Sequence, residues 1–196
     1  IRRQRQMCIR DSPTERRSKK ANSKITTDLF SNSFWIPDGK PVRKGDLRQY
    51  LARRELVTPQ DFGAKADGIH DDTPAISRAL SVSAVVYFPP VAGFYRLTSA
   101  LHPRSGQMIF GHGHGSLIRQ TRPREDCILG QGISDVRVEG LHLHPYVGED
   151  RPPRGIVFDG CRRVTVDGCT VRKHLGWGVH LVSCDESEVR ECLFVD

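Results

Sequence analysis

Two carboxylates are the first residues whose placing could do chemistry. Glu139 and Asp167 stand at matching positions in segments that align without gaps, ISDVRVEGLHL (133–143) and CRRVTVDGCTV (161–171). Glycoside hydrolysis needs two carboxyl groups about 5–10 Å apart, one an acid and the other a base or nucleophile. If the segments are neighbouring strands, one strand spacing of about 4.8 Å separates this pair, close enough to share a proton. Glu139 and Asp167 are therefore the candidate catalytic residues. A third segment, CDESEVRECLF (184–194), puts Arg190 at the same position. That substitution favours the competing account, an ordinary surface charge ladder.

The candidate binding residues are Arg172, Lys173, His174 and Trp177. They lie in one cationic stretch, RKHLGWG, whose Trp is flanked by glycines. Sugar rings stack on Trp faces, and cations suit uronic acids; the competing account is a side loop whose Trp covers the flank of the fold. His142 and His144 alternate with Leu141 and Leu143 and are expected on an outer face, with His144 level with Arg172. Two histidines at this spacing could hold a metal, but no carboxylate is expected beside them. The stretch Gly111-His112-Gly113-His114-Gly115 reads as a strand–turn–strand corner, because the helix that a phosphate loop requires does not follow it. Cys161 matches Cys184, and Cys169 matches Cys192; no Cys-x-x-Cys occurs. Small apolar side chains laddered in a core explain these better than metal ligation or disulfides between strand neighbours. No metal site and no cofactor are identified.

What must position these residues is a repeat. The three segments are offset by 28 and then 23 residues, and the loop Tyr146–Arg154 accounts for the longer step. Matching pieces precede each: Cys127–Leu129, Gly155–Phe158 and Gly178–Leu181. A period of one coil with short alternating strands suits a parallel solenoid better than a sandwich. Alternation sends Val136, Val138, Leu141 and Leu143 inward, stacked on Val164, Val166, Cys169 and Val171, with Val189 next to Val166. Arg137, Thr165 and Glu188 then face outward, as do Glu139, Asp167 and Arg190. Gly140, Gly168 and Glu191 share a turn position. Upstream, Thr73 is the expected N-cap of a helix with Pro74 in its first turn and Ala75, Ile76, Ala79 and Leu80 on its apolar face. AVVYFPP (84–90) reads as a strand. Phe34–Ile36 and Pro41–Val42 around Pro37-Asp38-Gly39 read as a small hairpin, and 47–55 as a short helix.

The stretch VTPQDFGAKADGIHDDTPAISRAL (57–80), followed by YFPP (87–90), resembles the N-terminal signature of the pectate-lyase-like superfamily. Ala66 and Val91 stand where that signature has Gly. The resemblance implies an all-β fold, a single-stranded right-handed parallel β-helix with an N-terminal capping helix, and a polysaccharide-directed protein of the lyase or glycoside hydrolase class. A Gly-His-Gly is catalytic in one hydrolase family on this fold, but the Asp motifs that precede it there are lacking here. The superfamily's Asn ladder is also lacking at Gly140, Gly168 and Glu191. Phage tailspikes and surface adhesins carry the same signature, so the alternative is a solenoid that binds glycans without chemistry in this segment, a homotrimer if it is a tailspike.

Composition bounds the rest. Residues 2–12, RRQRQMCIRDS, resemble a translated sequencing adapter, and such a segment is expected to find no partner in the fold. Of the formal net charge of +7, three units lie in residues 1–12 and three more in 13–20. The remainder is near neutral, which argues against a nucleic-acid partner. No apolar run approaches 18 residues, which argues against a membrane span. The expected organisation is an adapter-derived 1–12, a polar linker over 13–56 with the hairpin and helix, and the N-terminal part of a truncated β-helix over 57–196. The expected partner is polysaccharide, and the expected location is extracellular or virion-associated.

Overall fold

A computed structural model describes residues 56–148, 154–172 and 176–195, together with the backbone of Ile9–Arg10 (β1), Ser33–Trp35 (β2) and Pro41–Arg43 (β3). Strands β2 and β3 pair antiparallel, with Phe34 opposite Val42, as a hairpin. The expected helix over 47–55 lies outside the described residues.

The main body is a right-handed parallel β-solenoid of about four turns with one helix across its first coil. A 3-10 turn, Pro59–Phe62, is closed by a capping box between Thr58 and Asp61 and ends on left-handed Gly63. Helix α1 spans Thr73–Val82 and buries Ala75, Ile76, Ala79 and Leu80, the apolar face read from its spacing. The N-cap position falls to Asp72 rather than Thr73, without a side-chain cap. The reason lies in tertiary contacts. The buried Asp72 carboxylate accepts from the backbone N–H groups of Lys65, Ala66 and Arg96. The Thr73 hydroxyl accepts from the Thr98 N–H.

The strands that follow are β4 (Val85–Phe88), β5 (Tyr95–Leu97), β6 (Met108–Gln120), β7 (Ile128–Gln131), β8 (Ser134–His144), β9 (Ile156–Asp159), β10 (Arg162–Asp167), β11 (Thr170–Arg172), β12 (Val179–Val182), β13 (Glu188–Arg190) and β14 (Leu193–Val195). Three faces result. Face 1 stacks β4, the first half of β6, the first half of β8, β10 and β13. Face 2 stacks β5, the second halves of β6 and β8, β11 and β14. Face 3 stacks β7, β9 and β12.

The inside register is the one alternation predicts. Val138 and Val166 are fully buried and in register, with Val189 on the next rung. Cys127, Cys161 and Cys169 are buried among the aliphatic side chains, with Cys184 and Cys192 half-buried in the same stacks. The chain turns from face 1 to face 2 through left-handed residues in successive coils: Gly113, Gly140, Gly168 and Glu191. Three of the four are glycine, the residue that adopts this conformation without strain.

The expectation that residues 2–12 find no partner is corrected at one place, since Ile9 and Arg10 lie parallel to Leu181 and Val182 of β12. The other side of β12 is paired with β9. Among the described residues its remaining edge is taken by β1 alone, and an edge otherwise unpaired accepts any extended segment of suitable length.

Candidate functional site

The outer surface of face 1 carries one continuous column, Tyr87–Phe110–Glu139–Asp167–Arg190, a residue per coil. Its upper part is aromatic. The rings of Tyr87 and Phe110 stack with centroids 4.9 Å apart and planes 27° apart, and His112 meets Tyr87 edge-on at 5.7 Å. Tyr87 and Phe110 are half-buried and His112 is exposed. Burial pushes the Tyr87 phenol up, so its hydroxyl remains a hydrogen-bond donor.

The lower part is charged. Glu139 and Asp167 are adjacent in register, the juxtaposition the repeat predicts. Arg137, one column across, donates from Nε to Glu139 at 2.9 Å and from Nη2 to Asp167 at 3.3 Å. Arg190 donates to the same Asp167 oxygen at 2.9 Å. Both carboxylates therefore spend lone pairs on guanidinium groups. The pair is bridged by the Arg137 guanidinium.

Face 2 holds an arrangement the sequence reading did not foresee. His142 and His144 project from the outer side of β8, as alternation requires, but His142 is only 5% exposed. His114, from the corner of β6, covers it. The His114 and His142 Nδ1 atoms lie 3.0 Å apart, and the His142 and His144 Nε2 atoms lie 3.1 Å apart. The three imidazoles form a hydrogen-bonded chain with His142 in the middle. Its burial, then His144, His114 and Arg172, push the His142 imidazole down to about 4, so it is neutral at neutral pH. No alignment signalled it: His142 is in register with Leu117, and His114 reaches it only because the register of β6 against β8 shifts between Gly113 and Leu117. Among the described residues, no group of three or more His, Cys, Asp or Glu is arranged to hold a metal ion.

The four candidate binding residues do not form one described patch. Arg172 is exposed at the end of β11 on face 2. Lys173 and His174 lie outside the described residues. Trp177 enters face 3, 41% exposed, with its ring 3.9 Å from that of His180. Beneath it Arg154 grips Asp126 through two nitrogens at 3.0 and 2.7 Å. Burial first, then Arg154, lowers the His180 imidazole.

The family model described as rhamnogalacturonase A/epimerase, pectate lyase-like, matches residues 57–195. Comparison with curated proteins found no match. Among solved structures, the chain is similar to the family 28 exopolygalacturonase of Yersinia enterocolitica (TM-score 0.61, 15% identity, 71% of this chain and 38% of that one). It is similar to PfbA, a surface adhesin of Streptococcus pneumoniae (TM-score 0.60, 18% identity, 71% and 38%), and to the pre-mature gene product 12 of bacteriophage phi29 (TM-score 0.59, 14% identity, 74% and 23%). The chain thus spans under two-fifths of each of these three, and identities this low establish a shared fold.

Proposed function

The chain belongs to the rhamnogalacturonase A/epimerase, pectate lyase-like family, and from that premise we propose that it binds a polysaccharide along the outer surface of face 1. The observation that carries this reading is the column Tyr87–Phe110–Glu139–Asp167–Arg190. Two stacked rings offer an apolar platform for a sugar face. The rungs below offer carboxylate and guanidinium groups, spaced about 4.8 Å apart, to its hydroxyls. A chain molecule lying along the solenoid axis would meet one side chain per coil.

The parent protein is then a lyase or glycoside hydrolase, or else a surface or phage attachment protein, in keeping with an extracellular or virion-associated setting; a tailspike would be trimeric. The engagement of Glu139 and Asp167 by Arg137 and Arg190 favours binding over turnover in this segment. The test is affinity of the purified chain for a panel of neutral and acidic polysaccharides, beside a depolymerisation assay. Phe110→Ala should weaken binding roughly tenfold, the equivalent of about 1.4 kcal/mol and within reach of one lost ring contact. Depolymerisation should be undetectable. Turnover abolished by Asp167→Asn would overturn the non-catalytic reading, and unchanged affinity in Phe110→Ala would overturn the platform.

A further inference from the structure

We propose that face 2 is a second binding surface, for a polyanionic polysaccharide, whose affinity is linked to protons held by the chain His114–His142–His144. The two faces treat charge in opposite ways. On face 1 the carboxylates and guanidinium groups neutralise one another. On face 2 the outward column reads Arg96, Arg119, His144 and then, one rung on, Arg172, ending at Val195 of β14. No carboxylate stands in this column. Asp71 acts on Arg96 at its upper end, and Arg119 lies over the Phe94 ring at 5.5 Å. Like charges on neighbouring rungs about 4.8 Å apart repel, and an anionic chain laid along the column relieves that repulsion.

The histidines couple this surface to pH by a counting argument. Facing His142 are His114 from β6, His144 from its own strand, and Arg172 from β11, while Arg119 is level with His144; the register neighbours of His142, Leu117 and Thr170, are uncharged. A neutral imidazole has one N–H and one lone pair. The chain therefore accepts one extra proton with both links intact. A second proton, placed on the far imidazole, makes both outer rings donors toward a central ring with a single lone pair, and one link must open. An anion in contact with the column favours each added proton, and by reciprocity each proton favours the anion. Anion binding on face 2 is therefore accompanied by proton uptake.

The experiment is calorimetric titration of the full chain with sulfated dextran at pH 5, 6, 7 and 8 and constant ionic strength, with neutral dextran as control. Sulfate stays ionised throughout, so any slope belongs to the protein. Affinity should rise as pH falls, by up to about tenfold per pH unit where one proton is taken up. His114 is exposed, so His114→Gln tests the chain without emptying the core. It should retain binding at pH 8 and show a shallower slope, because His142 and His144 remain linked. Arg119→Gln with Arg172→Gln should lower affinity at least tenfold at every pH, with folding followed by circular dichroism. A flat pH profile in the unaltered protein, or full affinity in the double arginine variant, overturns the proposal. Tighter binding to a DNA oligonucleotide than to sulfated dextran overturns the polysaccharide as occupant. The face 1 reading is independent, because it fails or holds on Phe110→Ala with neutral polysaccharides.

Discussion

At the scale of single residues, the corner between faces 1 and 2 shows what one backbone conformation demands. Gly140 and Gly168 both sit at φ +58°, and Glu191 adopts φ +48° at the equivalent place. A Cβ on Gly140 would lie 2.8 Å from the Gly111 carbonyl oxygen, whereas one on Gly168 would meet nothing closer than 4.0 Å. Left-handed backbone costs a residue with a Cβ about 1–2 kcal/mol. Gly168→Ala should lose about that amount, and Gly140→Ala more, because the carbonyl must also move. Glu191→Gly should stabilise the protein by about 1 kcal/mol. Chemical denaturation of the three variants measures these differences, and equal losses at positions 140 and 168 would show that strain alone, without the close contact, sets the cost.

At the scale of elements, the meeting of β6 and β8 makes stability depend on pH. The folded protein holds His142 at about 4, below its ordinary 6.5. Between these values the unfolded chain binds a proton that the folded protein does not, so unfolding is favoured as protons become available. The stabilisation is complete above about pH 7 and is lost as pH falls through 6.5 toward 4. Thermal denaturation of the ligand-free protein from pH 7.5 to 4.5 should show a falling midpoint, and His142→Gln should flatten this part of the profile. A profile unchanged in that variant would assign the acid sensitivity to other groups. Helix α1 gives a parallel lesson in how neighbours use polar side chains. Asp72 and Thr73 look like capping residues in isolation, yet both are drawn to backbone donors of the loop before the helix and of β5 and the residue after it.

At the scale of the whole molecule, a solenoid shares its stability between neighbouring coils. Strand β8 is paired on both sides, by β6 and by β10 and β11, and its inward residues are fully buried. Among the described residues, strands β13 and β14 pair on one side, and Val189 and Phe194 are only half-buried. Amide hydrogen exchange should therefore be slowest in β8 and β10 and fastest in β13 and β14, with α1 holding β4 at intermediate protection. Uniform protection along the stack would mean that the coils open as one cooperative unit. Among the described residues, no helix is long and apolar enough to cross a membrane.

The sequence by itself determined the repeat, the inside and outside of the strands in its three aligned segments, and the pairing of Glu139 with Asp167, because side-chain alternation and coil length are local and parallel strands copy them from coil to coil. It also made the antiparallel pairing of β2 with β3 legible, since Pro37-Asp38-Gly39 is a turn signal between two short apolar runs. Three things needed the tertiary structure. The bridging of Glu139 and Asp167 by Arg137 depends on rotamers across two columns. The separation of Arg172 from Trp177 depends on where the chain turns from face 2 to face 3, which composition does not encode. The joining of His114 to His142, 28 residues apart, depends on how tightly the β6 corner folds over β8. A linear pattern specifies which face a side chain takes; which neighbours it meets on that face is decided by the angle of the turns between faces.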